Sequence, residues 1–206
     1  LSTCHDPHGR PDLSSWLVKM PQGVFPVGRL DKATTGLLLF TDDGDLAYAI
    51  QQPDCHTAKH YLLTIQGRCE ERDVRLEKLR EGVFLKDGLA KGHNIIVKAF
   101  HSETTQVSMT LFEGRNRQIR RMCASVSLPL LHLHRYVIGS LTLDEVNEGC
   151  WRTLSQDELL CLWQSAGTKS YAHARTISAL QERAQYFRSL GQPKKRLEAW
   201  LAHEKI

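Results

Sequence analysis

Two charged stretches of the sequence carry side chains able to do covalent or acid–base chemistry. The first is Gly28-Arg29-Leu30-Asp31-Lys32-Ala33-Thr34-Thr35-Gly36, in which one carboxylate sits between two cations ahead of an apolar run. Nearby positive charge keeps a carboxylate ionised, as nucleophilic or basic work requires. Taken alone, this stretch fits a solvated turn with a local ion pair better than a catalytic loop. The second is Glu113-Gly114-Arg115-Asn116-Arg117-Gln118-Ile119-Arg120-Arg121-Met122, with four arginines crowding a predicted helix start. Cations oppose the helix dipole there, so something else must favour them. Phosphate is the natural partner, because guanidinium forks bind its oxygens in pairs and the free amides of a helix start assist. A basic face that is merely solvated reads the same way on a single helix.

The elements that must position these stretches alternate between short strands and helices, as in an α+β domain. Residues 36–41 form a buried-strand pattern stopped by Asp42-Asp43-Gly44-Asp45, which also caps a helix over 46–52 that ends before Pro53. A strand follows at 59–66, then a helix over 70–80 with Val74, Leu76 and Leu79 as its buried stripe and Gly82 as terminator. Further strands are expected at 83–85, 94–100 and 106–112, a helix at 116–125, and strands at 130–137 and 141–143 around Gly139. Ser155-Gln156-Asp157-Glu158 matches a helix capping box. The reading is a mixed, mostly antiparallel sheet flanked by helices over 1–167. A basic helical extension over 168–206 follows, with helices at 172–190 and 194–203 split by Gly191-Gln192-Pro193.

Composition narrows the function classes. The chain has 206 residues and a formal net charge of +4. From residue 168 onward eight Lys and Arg face three Glu, which leaves 19 basic and 20 acidic residues before it. The body is balanced and the tail is basic, which suits an RNA-facing or a solvated helix. No apolar run approaches the roughly 18 residues of a membrane span. Six cysteines lie far apart without a C-x-x-C pair, and the ten histidines are not at ligand spacing, so neither a metal centre nor a disulfide scaffold is expected. The first residues lack the basic start and apolar middle of a secretory signal, and the absence of an initial Met reads as a fragment or a processed form.

Taken together, Gly-Arg-Leu-Asp-x-x-Thr-Thr-Gly-Leu and, about eighty residues later, Glu-Gly-Arg-x-Arg-Gln-Ile-Arg-Arg-Met closely resemble the RsuA-type branch of the pseudouridine synthases. Lys59-His60-Tyr61-Leu62 resembles that family's Lys-x-Tyr strand, and Leu133-His134-Arg135-Tyr136-Val137-Ile138-Gly139 its Leu-x-Arg-x-x-Ile-Gly segment. The resemblance covers roughly residues 1–155 and implies the pseudouridine synthase catalytic fold. It implies that Asp31 acts on a target uridine so that uracil detaches, rotates and rejoins the ribose through carbon 5. Tyr61 would stack on the base and Arg120 would pair with Asp31 and hold it charged. Leu130 or Leu131 would wall the pocket. Arg29, Arg115, Arg117, Gln118 and Arg135 would contact the substrate or support the site. It further implies RNA as partner, most of all ribosomal RNA, no metal or organic cofactor, a monomer, and a bacterial cytoplasmic or an organellar location.

Three departures from the family pattern carry expectations of their own. Relatives begin the catalytic domain with an Asn-Lys-Pro-x-Gly strand, and Leu1-Ser2-Thr3 resembles the residues just after it, which would leave a sheet edge uncovered. The small N-terminal RNA-binding domain of many relatives has no counterpart here either. Ser127 stands where the pattern has Gly, so a left-handed backbone at that position would be strained. A noncatalytic RNA-binding or ribosome-assembly protein on the same scaffold is the competing reading.

Overall fold

The computed structural model describes residues 12–143, 146–166 and 199–204. In chain order these form α1 (Ser14–Leu17), β1 (Phe25–Pro26), β2 (Thr34–Thr41), α2 (Gly44–Gln51), β3 (Lys59–Gln66), α3 (Val74–Glu81), β4 (Val83–Leu85) and β5 (Gly88–Ala90). They continue with β6 (His93–Phe100), β7 (Thr104–Leu111), α4 (Gln118–Ser125), β8 (Leu130–Ile138), β9 (Leu141–Thr142), β10 (Trp151–Thr153), α5 (Gln156–Ser165) and β11 (Ala199–Glu204). One nine-stranded sheet runs β10-β11-β2-β8-β3-β7-β6, with β1 added to β2 and β9 to β8, while β4 and β5 make a separate hairpin. Only β2 and β8 run parallel; every other described pairing is antiparallel.

Local chemistry explains most element boundaries. The Asp43 carboxylate accepts from the amides of Asp45 and Leu46 at 2.9 and 3.1 Å, satisfying two otherwise unpaired donors at the start of α2. Asp73 does the same for α3 through Arg75 N, and Ser155 and Glu158 form the expected reciprocal box at α5. Leu76 and Leu79 face inward as expected, but Val74 is 64 % exposed. It stands two positions before Leu76, which carries it about 200° round the helix and off the buried stripe.

β2 is buried on both faces. Leu37 and Leu39 pack with α2 and α5, whereas Leu38 and Phe40 pack with Leu13, Met20 and Leu30. Burial of each such side chain contributes on the order of 2 kcal/mol. Gly36, at φ +113°, lies beside Arg135 of β8, and a Cβ there would collide with the Arg135 carbonyl. The parallel β2–β8 contact therefore needs glycine at its last rung.

Two expectations about chain ends and turns meet different outcomes. Residues 199–203, read from sequence as helical, lie within β11, which pairs with β2 on one side and β10 on the other. Ala, Leu and Glu favour helix, but two flanking ladders satisfy the amides of an extended segment, and tertiary pairing overrides the local preference. β2 thus lies inside the sheet and not at an edge. The helix expected at 172–190 falls outside the described residues.

Ser127 does adopt the left-handed backbone, at φ +55°. Leu128 N donates to Cys123 O and Ser127 N to Ala124 O, the paired bonds that close α4 and place Ser127 where glycine is preferred. Replacing Ser127 with glycine is expected to stabilise the chain by about 1 kcal/mol. A raised denaturant midpoint at unchanged slope would report it, and a midpoint that stays put or falls would show that no strain is stored there.

Candidate active site

The loop carrying Asp31 is aimed by its neighbours. Leu30 is buried among Leu38 and Phe40, so the adjoining Arg29 and Asp31 turn outward, Arg29 exposed and Asp31 half-buried. Thr34 N donates to Asp31 O at 2.8 Å and closes the turn. Facing this loop, β3 presents Lys59 and Tyr61 on one side because alternate strand residues share a face. The pairing of β3 with β8 shifts register between His60 and Tyr61, an irregularity that re-aims side chains beside a site. Between loop and strand lies a cavity of about 500 Å³ whose walls include Arg29, Asp31, Lys59, Tyr61, Arg117 and Arg135.

Arg120 reaches this loop from the first turn of α4. Its Nη2 donates to the Ala33 carbonyl and, at 3.4 Å, to the Thr34 hydroxyl, while its Nε is buried without a partner among the described residues. It makes no ion pair with Asp31 within 4.0 Å. The contact expected from the sequence is instead made to the backbone two residues beyond the carboxylate. Burial, and then the like charge of Arg117, lower the Arg120 pKa from its ordinary value, with Asp31 pulling the other way.

The remaining arginines divide by what they touch. Arg115 bonds Glu113 at 2.8 Å and the carbonyls of Asp87 and Leu89 at 3.1 and 2.8 Å. Arg121 grips Asp87 with two bonds of 2.7 and 2.8 Å. Gln118 is buried, accepting from Arg115 N and donating to Glu113. These groups build a frame that joins the β4–β5 hairpin to the start of α4, and Asp87 and Glu113 supply the counter-charge that a cationic helix start requires. Arg135 is also committed, its Nε and Nη2 both donating to Leu37 O at 3.0 and 2.8 Å. Arg115, Gln118 and Arg135 therefore line the cavity with their polar atoms engaged by protein. The Arg29 and Arg117 side chains make no hydrogen bond or ion pair among the described residues and stand exposed at its rim. Arg117 holds a left-handed backbone, φ +47° and ψ +34°, a conformation that costs a non-glycine residue about 1 kcal/mol or more and that clusters at functional sites.

A model of the family described as RNA pseudouridylate synthase matches residues 2–125. The chain belongs to that family. An Aquifex aeolicus protein named as an uncharacterized RNA pseudouridine synthase is 35 % identical over 79 % of this chain and 65 % of its own length. A Vibrio parahaemolyticus protein named ribosomal large subunit pseudouridine synthase E is 36 % identical over 75 % of this chain and 69 % of its own. A solved pseudouridylate synthase superposes with a TM-score of 0.59 at 33 % identity, covering 68 % of this chain and 60 % of that one. The chain thus spans about two thirds of the length of such relatives, and its sheet is that of the pseudouridine synthase fold.

Leu130, expected to wall the pocket, instead packs beside the core formed with α3 and α4, and Leu131 is largely exposed. The apolar wall comes from Leu111, Ile119 and Leu133. Leu133 shares a strand face with Arg135, two residues on, so alternation along β8 points to it and away from Leu130. By the same rule Lys59 accompanies Tyr61. Asp87, which lies 34 residues from Arg121 in sequence, has no comparable signal. His132 and His134 both approach the Thr35 hydroxyl, at 3.3 and 2.8 Å. Among the described residues no group of three or more His, Cys, Asp or Glu could hold a metal ion, and no described helix is long and apolar enough to cross a membrane.

Proposed function

We propose that the chain isomerises a uridine of ribosomal RNA to pseudouridine, with Asp31 as the carboxylate that acts on the nucleotide. One observation carries this reading: the half-buried Asp31 and Tyr61 line one cavity of about 500 Å³ together with Arg29, Lys59, Arg117 and Arg135. A cavity of that size takes one nucleotide and not a duplex, so the target base leaves its stack to enter. Tyr61 offers a ring for the extruded base to lie against. Arg29 and Arg117, exposed and unengaged, suit the flanking phosphates, which stay at the mouth. The names of the Vibrio relative and of others like it support ribosomal RNA as the substrate.

The test is a pseudouridine map of ribosomal RNA from cells with and without the gene, followed by restoration with the intact coding sequence. One uridine position should lose its modification and regain it. An unchanged map would favour a noncatalytic RNA-binding role.

A further inference from the structure

The floor of the cavity holds positive charge that flanking phosphates do not explain. Lys59 and Arg135 are 7 % and 5 % exposed, and neither has an acidic partner within 4.0 Å among the described residues. Their contacts are backbone carbonyls: Leu37 for Arg135, and Ile50 and Thr57, at 3.2 and 3.3 Å, for the Lys59 ammonium. Burying a cation without a counter-ion costs free energy. Burial, and then repulsion from Arg135, lower the Lys59 pKa from 10.5 to about 8. Around the cavity five cations, Arg29, Lys59, Arg115, Arg117 and Arg135, face the single carboxylate of Asp31.

Depth separates their uses. A phosphate remains in water at the rim, whereas the floor meets whatever enters deepest, which for an extruded nucleotide is its base. In the isomerisation the C1′–N1 bond breaks and its electron pair stays with the ring, spreading onto the ring oxygens. The ring turns and a C5–C1′ bond forms. The C5 proton then leaves to solvent and N1 takes one back, so nothing is oxidised or reduced. Resting on the reading that the chain is a pseudouridine synthase, we propose that the Lys59 ammonium, backed by Arg135, is the electrostatic partner of the uracil ring while that ring is detached from the ribose. Two of the three ammonium N–H groups are held by Ile50 and Thr57, which fixes the head and leaves the third for a ring oxygen.

The titratable and charged groups facing Lys59 are Tyr61 on its own strand, Arg135 from β8, Arg29 and Asp31 from the catalytic loop, and Arg115 and Arg117 before α4; the end of α2 adds the Ile50 carbonyl and the uncharged Gln51. The charged form is the working one, so turnover falls as pH rises through about 8. Stability moves oppositely. The folded chain binds this proton less tightly than the unfolded chain, so the Lys59 contribution to stability rises between about 8 and 10.5.

The experiment compares wild type, Lys59→Arg and Lys59→Gln on a ribosomal RNA fragment, measuring kcat, KM and thermal midpoint from pH 6 to 10. Lys59→Gln should lose about 100-fold in kcat with KM within about 3-fold, the scale on which removing one donor to developing negative charge is felt. Lys59→Arg should keep most of the rate and hold it above pH 8, where wild type declines. Wild-type kcat in Lys59→Gln, or a loss carried entirely by KM or by the thermal midpoint, would overturn the assignment and leave the proposed function standing. No pseudouridine from wild type would overturn both.

Discussion

Asp31→Asn is expected to make pseudouridine at less than about one ten-thousandth of the wild-type rate while binding RNA within a few-fold of wild-type affinity. The exchange keeps the size of the side chain and removes its charge and its nucleophilic or basic capacity. It should not disturb the fold. The turn at Asp31 is closed by its backbone carbonyl to Thr34 N, Leu30 anchors the loop in the core, and the carboxylate itself makes no hydrogen bond or ion pair among the described residues. Single-turnover product analysis by mass spectrometry, beside filter binding and thermal melting of the same preparations, separates the three effects. Normal product from Asp31→Asn would remove the carboxylate from the chemistry. Loss of binding together with activity would make Asp31 part of the RNA surface.

Elements whose causes lie within a few residues are legible in the sequence alone. Asp43 and Ser155 announce their helices because a cap acts within one turn, and β3 announces itself by alternation. The two stretches that converge on the cavity stand out only through their resemblance to the family motifs, since each alone reads as a solvated turn or basic face; Asp31, Tyr61 and the arginine-rich turn do all line it. What sequence leaves open depends on partners far along the chain. That Arg115 and Arg121 serve a hairpin is hidden because Asp87 lies 28 and 34 residues away. Arg135 reads in sequence as a substrate contact, yet the Leu37 carbonyl, 98 residues distant, accepts both its bonds. The strand character of 199–204 has the same origin, arising from β2 and β10 on either side of it and not from its own composition. Cationic residues near a site read alike in sequence, and only their partners sort frame from rim.

Arg120→Met should reduce kcat by about 100- to 1,000-fold, because displacing a catalytic group by about 1 Å costs on the order of 100-fold and the lost positive charge adds to it. Arg120 acts through the loop. Its guanidinium holds the Ala33 carbonyl and the Thr34 hydroxyl, bracing the turn from which Asp31 projects, and its charge lies within the field of that carboxylate. Arg120→Lys should recover part of the loss, since its ammonium restores the charge and can donate to the Ala33 carbonyl, but from a shorter, more flexible side chain that lacks the planar guanidinium. RNA affinity distinguishes this positioning role from a phosphate contact. A positioning residue leaves Kd within about 3-fold and the salt dependence of binding unchanged, whereas a phosphate ligand would weaken Kd and lower the salt slope by about one unit. Wild-type kcat in Arg120→Met would show that the loop holds Asp31 without this brace. A weaker Kd with a reduced salt slope would move Arg120 to the rim, in the company of Arg29 and Arg117.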